Sequence, residues 1–146
     1  MRVYLDACSL QRPLDDRSQP RINVEAEAVL TILRLVESGH LELFSSEALQ
    51  FEIDRIPDSE RQERANEMLK LASKSLELVD EIQSHARSLH RFGVKPLDAL
   101  HLAFASWAKS DYFCTCDDIL LKKARRLKSL HTTVVGPLEL VEKVAP

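Results

Sequence analysis

The sequence predicts a layered α/β domain built around a mainly parallel sheet, on the strength of two observations. Short apolar runs, typical of buried strands, alternate along the chain with longer segments whose apolar residues recur at helical spacing. The 146 residues also contain no internal repeat, no low-complexity segment and no Gly/Ser-rich linker. We therefore expect residues 1–146 to form a single domain.

The first half of the chain predicts two strands and three helices. Gly39 ends the first long helical pattern. Ser45 or Ser46 can cap the next helix, and Pro57 ends it. A turn-like stretch that contains Pro13 follows the first strand. The predicted elements are, in order, a strand at 2–5, a helix at 22–37, a strand at 41–44, a helix at 46–56 and an amphipathic helix at 59–71.

The second half predicts three strands and four helices. Gly93 ends one helical pattern, and Pro96 suits the first turn of the next. That next segment stays apolar as far as Trp107, as expected of a helix packed in the interior. The predicted elements are a weak strand at 76–79, helices at 80–92 and 96–107, a strand at 112–115, a basic helix at 118–129, a strand at 132–135 and a short helix at 138–144.

Composition excludes a disordered chain and favours a protein outside the membrane. With 45% hydrophobic and 29% charged residues, the chain has the balance of an ordinary globular protein. No apolar run approaches the ~18 residues of a membrane helix, and the first residues lead into a short strand rather than a signal-peptide core. We therefore expect a cytoplasmic protein with no membrane contact.

The cysteines and the net charge exclude further classes. Three cysteines cannot form a closed disulfide framework, and the pair Cys114 and Cys116 lacks the second pair that a zinc site needs. We interpret Cys8, Cys114 and Cys116 as small, half-buried residues near strand ends. With a net charge of -3, the chain does not coat nucleic acid, so any nucleic-acid role depends on a local basic patch.

Acidic residues from four segments are predicted to converge at one edge of the sheet. Asp6 and Asp117 each follow a strand, and parallel strands joined by crossover helices end at the same edge. The helix of Asp98 runs antiparallel to the strand after it, so its first turn also lies at that edge. Glu47 begins the helix after the second strand, and Glu52 lies further along it.

Each acidic residue also has a structural explanation. An aspartate after a strand is common turn chemistry, and an acidic residue in a first helical turn complements the helix dipole by about 0.3–1 kcal/mol. A cluster is harder to explain in this way, because like charges raise one another's pKa and destabilise the fold unless a divalent cation neutralises them. Ligation by oxygen alone favours Mg²⁺ or Mn²⁺ over zinc.

Four stretches carry a family resemblance: VYLDACSLQRP at 3–13, SEALQFEI at 46–53, KPLDALHLAFA at 95–105 and TCDD at 115–118. In order and spacing they resemble the PIN-domain family, which includes the VapC toxins of prokaryotic toxin–antitoxin pairs. They cover nearly the whole chain, and the third stretch is the most specific. The resemblance implies a three-layer α/β/α PIN-like fold and a metal-dependent ribonuclease with three or four clustered acidic residues.

The family's acidic positions match Asp6, Glu52, Asp98 and Asp117. The resemblance implies that these residues are catalytic and that the three aspartates ligate Mg²⁺ or Mn²⁺. Asp118 is an alternative to Asp117. Glu47 is an alternative to Glu52, because it is predicted to lie nearer the sheet edge, although the spacing of the family motif favours Glu52.

One departure from the family concerns the residues after the first aspartate. Many PIN domains have Thr-Asn or Ser-Asn there, whereas this chain has Ala7 and Cys8. Loss of polar groups beside the ligands weakens metal placement. Ser9 and Thr115 are candidates to compensate for that loss.

Substrate contact requires positive charge near the acidic cluster. Arg12, in the loop after Asp6, is one candidate for a phosphate contact. A basic run after Asp117 exceeds what solubility requires, although it also fits a solvated helix face. No row of aromatic residues predicts a base-stacking platform. The run consists of Lys122, Lys123, Arg125, Arg126 and Lys128.

We predict a metal-dependent endoribonuclease, the toxin of a toxin–antitoxin pair, with an RNA substrate and an antitoxin protein as partners. The apolar faces at 22–37 and 59–71 favour a homodimer, although they also fit helices that cover one sheet. The alternative function is a non-catalytic RNA- or protein-binding module of the same fold. His101, one turn after Asp98, is interpreted as a packing or hydrogen-bonding residue.

Overall fold

A parallel sheet of five strands forms the centre of the protein, in the order β3-β2-β1-β4-β5. The computed structural model describes residues 1–146. Tyr4 of the central strand pairs with Phe44 on one side and Phe113 on the other. The predicted α/β class with a parallel sheet is confirmed. The strands are β1 (Arg2–Leu5), β2 (Glu42–Ser46), β3 (Lys74–Leu76), β4 (Tyr112–Cys114) and β5 (Thr133–Val135).

Eight α-helices surround the sheet, and a short 3₁₀ helix at Arg12–Leu14 follows the first of them. None of these helices combines the length and the apolar character needed to cross a membrane. The helices are α1 (Ala7–Gln11), α2 (Pro20–Glu37), α3 (Glu47–Asp54), α4 (Ser59–Leu69), α5 (Asp80–Arg91), α6 (Pro96–Trp107), α7 (Asp118–Arg125) and α8 (Pro137–Val144).

The buried side chains of the sheet divide between two apolar clusters, one on each face. Tyr4 packs in a cluster with apolar residues of α5, α6 and α7. Val3 and Leu5 belong to the other cluster, with residues of α2, α3, α4 and α8. Because both faces are covered, the central strand β1 is apolar and buried from Val3 to Leu5, as is usual in parallel sheets. The result is the predicted three-layer α/β/α arrangement.

The stretch after Asp6 is helical, and its prediction as a turn is wrong. The Asp6 carboxylate accepts a hydrogen bond from the backbone N–H of Ser9 and thereby caps α1, whose Leu10 is buried. Pro13 then lies inside the 3₁₀ helix. A helix of five residues is too short to show apolar periodicity, which explains why the sequence pattern missed it.

Most element boundaries differ from the predicted ones by one or two residues, and the differences at α7, β2 and β3 have a physical reason. α7 ends at Arg125 rather than at 129 because the chain turns there, and Leu127 and Leu130 pack against the core. β2 and β3 are shifted from the apolar runs at 41–44 and 76–79. The shift follows from backbone pairing, which the side-chain pattern does not encode: β2 extends to 46 where it pairs with β3.

Candidate active site

A cavity of about 200 Å³ opens at the carboxyl edge of the central strands. It holds four carboxylates from four different segments of the chain, so the structure brings together the four acidic residues that the family pattern matches. Its lining also includes a histidine, an arginine and two cysteines. The lining residues are Asp6, Ala7, Cys8, Arg12, Glu52, Asp98, His101, Cys116 and Asp117.

Asp6 and Asp117 are placed by the same local device, since each lies between a central strand and the helix that it caps. Oδ1 of Asp6 accepts from the backbone N–H of Ser9 at 3.0 Å. Oδ1 of Asp117 accepts from the N–H groups of Ile119 and Leu120 at 2.9 and 3.2 Å. Capping uses one oxygen of each carboxylate. The other oxygen makes no hydrogen bond within the protein.

Asp98 lies in the first turn of α6, where Pro96 starts the helix. The chain bends at this point so that the first turn of α6 meets the carboxyl edge of the sheet. Asp98 makes no side-chain hydrogen bond. Burial and the negative charge of Asp6 raise the pKa of Asp98 above its ordinary value, and Asp117 and Glu52 add to this effect. Asp98 therefore experiences the mutual repulsion of the cluster.

Glu52 enters the cavity from the last turn of α3, with its side chain 28% exposed. Its Oε1 is hydrogen-bonded to Nε2 of His101, which is almost fully buried. The other ring nitrogen of His101 lies 2.6 Å from the hydroxyl of Tyr4, and that hydroxyl lies 2.6 Å from Oγ of Ser46. The histidine is thus held on both sides within the protein.

The two acidic alternatives lie outside the cavity. Glu47 is exposed at the start of α3 and does not line the cavity, whereas Glu52 does. Glu47 follows the end of β2, as expected from its place in the sequence, but its side chain is exposed, whereas the last turn of α3 brings Glu52 to the cavity. Asp118 forms an ion pair with Arg21 at 2.7 Å, which lowers the pKa of this carboxyl.

Ser9 and Thr115 are buried behind the cavity rather than in its wall. The hydroxyl of Ser9 donates to the carbonyl of Cys114 at 3.1 Å, so it ties α1 to β4. Oγ1 of Thr115 accepts from the N–H of Asp117 at 3.1 Å. Both residues therefore act on the backbone beside the aspartates, and neither reaches the cavity itself.

Cys8 has a role that the sequence did not reveal. It is exposed, whereas Cys114 and Cys116 are buried, so the interpretation of all three as half-buried is wrong. The thiol of Cys8 donates to Oδ1 of Asp6 at 3.1 Å and lies 3.7 Å from Oγ1 of Thr115. Cys8 therefore supplies a polar contact at the position where many PIN domains have an asparagine.

The predicted RNA-contacting residues face different directions. Arg12 lines the cavity and pairs with Asp15 at 2.9 Å and Glu25 at 3.4 Å. Arg125 pairs with Glu139 on α8 at 2.7 Å, and neither residue lines the cavity. The remaining residues of the run in α7 and at its end are exposed. Lys123 donates to the carbonyl of Gly93 at 2.9 Å, and Lys122 and Arg126 form no ion pair.

The donor set of the cavity fits a hard divalent cation in its chemistry. Four carboxylates present oxygen ligands, and Asp6 and Asp117 each keep one oxygen without a partner. No three His, Cys, Asp or Glu side chains already stand in position to hold a metal ion. Ligation therefore requires the carboxylates to rotate toward a common point, which the partly open cavity permits.

The fold and the cavity define a PIN-like α/β/α domain with an acidic centre. No protein-family model and no curated protein matches the sequence. Among solved structures, the chain resembles one chain of VapBC2 from Rickettsia felis, crystallised with a DNA fragment from the promoter of its own genes. The two share 11% identity at a TM-score of 0.63, over 93% of this chain and 98% of the other. This likeness confirms the PIN-like fold that the sequence motifs predicted.

Proposed function

We propose that this protein is a Mg²⁺- or Mn²⁺-dependent endoribonuclease that serves as the toxin of a toxin–antitoxin pair. The observation that carries the proposal is the cavity at the carboxyl edge of the sheet, where four separate segments each contribute a carboxylate. An acidic cavity between strand ends is where open parallel sheets place their sites.

Structural roles explain only part of this cluster. Capping accounts for one oxygen of Asp6 and one of Asp117, and an asparagine or a serine would cap as well. The Asp98 carboxylate makes no hydrogen bond, and burial together with the neighbouring negative charges raises its pKa. Repulsion among the carboxylates does not stabilise the fold, so their clustering indicates a function that requires negative charge in the cavity.

The residues divide the work of phosphodiester hydrolysis between them. Asp6, Asp98 and Asp117 would hold the cation through the oxygens that make no hydrogen bond within the protein. When bound, a divalent cation polarises the phosphodiester, activates water and neutralises the leaving oxygen. Glu52 keeps Oε2 free while Oε1 bonds His101, so Oε2 can orient a water molecule or accept its proton.

Charge on the surrounding surface supports an RNA substrate. Arg12 reaches the cavity, and Lys122 in the helix that Asp117 caps and Arg126 directly after it are exposed. The sequence resemblance to VapC toxins and the shared fold with a chain of VapBC2 support an antitoxin protein and a homodimer as partners. With RNA and an antitoxin as partners, we place the protein in the cytoplasm.

Cleavage by the purified chain tests the proposal. Total prokaryotic RNA is incubated with Mn²⁺ or with EDTA, and we expect cleavage only with the metal. Asp98→Asn should lower the rate of cleavage by more than about 100-fold. Loss of a group that only orients a metal ligand costs at most about that much, so a larger loss indicates a ligand itself. The matched control is Asp118→Asn, the same change outside the cavity, which should keep the parent rate.

Two outcomes would contradict the proposal. Equal cleavage with Mn²⁺ and with EDTA would exclude the metal mechanism. Tight RNA binding without cleavage of any RNA would favour the alternative, a non-catalytic binding module with the same fold.

A further inference from the structure

A continuous chain of hydrogen bonds links the core of the sheet to the acidic cavity. The backbone N–H of Leu49 donates to Oγ of Ser46 at 3.1 Å. Oγ of Ser46 lies 2.6 Å from the hydroxyl of Tyr4, which lies 2.6 Å from Nδ1 of His101. Nε2 of His101 bonds Oε1 of Glu52. Only Glu52 is open to solvent, because the other side chains are at most 1% exposed.

The chemistry of these groups allows only one direction of hydrogen donation along this chain of hydrogen bonds. The carboxylate of Glu52 is the acceptor at one end, so Nε2 of His101 carries the hydrogen and Nδ1 accepts. Tyr4 must then donate to Nδ1 and accept from the hydroxyl of Ser46, whose oxygen accepts from Leu49. Each hydrogen is used once. The reverse direction would leave the buried hydroxyl hydrogen of Ser46 without an acceptor in this chain.

Packing does not explain the hydroxyl of Tyr4. The residues paired with Tyr4 on the neighbouring strands are Phe44 and Phe113, and the ring of Tyr4 stacks on Phe113 with centroids 5.5 Å apart. A phenylalanine at position 4 would pack between Phe44 and Phe113 in the same way without burying a polar atom. The hydroxyl therefore serves the contact with His101.

The same chain of hydrogen bonds also connects the two ends of helix α3. Ser46 caps the start of α3, and Glu52 lies in its last turn. Through Tyr4 on β1 and His101 on α6, both ends of this eight-residue helix are tied to the centre of the molecule. The tie limits the movement of Glu52 relative to the three aspartates.

We propose that His101 and Tyr4 are positioning residues, which hold Glu52 so that its Oε1 faces the protein and its Oε2 faces the substrate. This role rests on the proposed ribonuclease function. His101 touches Glu52 directly, and Tyr4 acts only through His101. Groups that orient a catalytic residue in this way typically contribute about 10- to 100-fold to its activity.

A double-mutant cycle tests the coupling between Tyr4 and Glu52. Tyr4→Phe keeps the aromatic volume and should lower kcat about 10-fold with KM unchanged. Glu52→Gln should lower kcat further, and the double variant should match Glu52→Gln alone, because Tyr4 acts only through Glu52. The control is Tyr112→Phe, the same change on β4, whose hydroxyl makes no hydrogen bond. Independent losses that multiply in the double variant would overturn the proposal.

A spectroscopic measurement tests the chain without any substrate. NMR of the metal-free full chain with ¹⁵N-labelled histidine should show His101 with its hydrogen on Nε2. A hydrogen on Nδ1 in an enzyme that cleaves RNA would overturn the positioning role and leave the proposed function intact. A parent that cleaves no RNA, with the hydrogen on Nε2, would contradict the proposed function and the positioning role together.

Discussion

Asp6 and Asp98 face the same cavity but are held in opposite ways. Asp6 caps α1 and accepts two hydrogen bonds on one oxygen, from Ser9 and Cys8. Asp98 accepts none, and its pKa is raised by burial and by its acidic neighbours. Asp6 therefore stabilises the fold while it faces the cavity, whereas Asp98 faces the same cavity and lowers the stability of the fold. The effects of replacing them should separate function from structure.

The other two carboxylates extend the same contrast. Asp117 repeats the arrangement of Asp6, since it caps α7 at the end of the neighbouring strand. Glu52 has no local structural role and depends on His101, a residue 49 positions away in the sequence. Capping places a carboxylate through its nearest neighbours along the chain, whereas Glu52 requires that the whole sheet be assembled first.

The largest expected effect is on stabilisation by metal. A cation that binds only the folded state stabilises it by about 2.7 kcal/mol at 100 times its dissociation constant, a shift of roughly 5–10 °C in Tm for a chain of this size. Asp6→Asn and Asp98→Asn should both lose most of this gain, because each removes a negative charge from the cavity. Melting curves with and without Mn²⁺ measure it. Asp118→Asn is the control, and a full metal response in either cavity variant would contradict the assigned ligands.

A smaller effect separates the two aspartates in metal-free protein. Asp6→Ala removes a helix cap and should lower the free energy of unfolding by about 1 kcal/mol. Asp98→Asn removes a partly buried charge and its repulsion by the acidic neighbours, so it should raise Tm at neutral pH. Melting curves in EDTA compare the two variants with the parent. A destabilising effect of Asp98→Asn would mean that Asp98 supports the fold as Asp6 does.

The pH dependence of the Asp98 effect follows from the direction of its pKa shift. A folded-state pKa above the unfolded value, about 3.9, means that the folded protein holds the proton more tightly. Protonation of Asp98 therefore stabilises the folded parent fully below about pH 4, and this stabilisation is lost as the pH rises through the folded-state pKa. The advantage of Asp98→Asn should be largest near pH 7 and vanish toward pH 4. A constant difference between the two proteins would contradict the shift.

The same contrast explains how much the sequence could predict. Asp6 and Asp117 follow recognisable strands, so the rule that parallel strands end at one edge was enough to bring them together. Glu52 was assigned from the family spacing alone, because helical phase could not show that Glu47 turns outward. The links through Tyr4 and Ser46 depend on which way buried side chains point across the sheet, which apolar patterns do not record.

The smallest expected effect concerns the basic residues at α7. Lys122 and Arg126 are exposed without an ion pair, whereas Arg125 is bound to Glu139. Each phosphate contact with single-stranded RNA contributes about 0.7 to the slope of log affinity against log salt concentration. We expect the double variant Lys122→Ala and Arg126→Ala to reduce the slope by roughly 1.4, and Arg125→Ala to leave it unchanged.

The salt dependence of RNA affinity is best measured in the Asp98→Asn background, so that the RNA stays intact during titration. The carboxylates of the cavity repel phosphate, so RNA affinity must come from basic side chains, and their free charge decides which of them contribute. Arg125 would first have to leave Glu139, which offsets the gain from a phosphate contact. Equal slopes for both variants would mean that α7 presents a solvated face and that RNA is held elsewhere, with Arg12 at the cavity rim as the next residue to change.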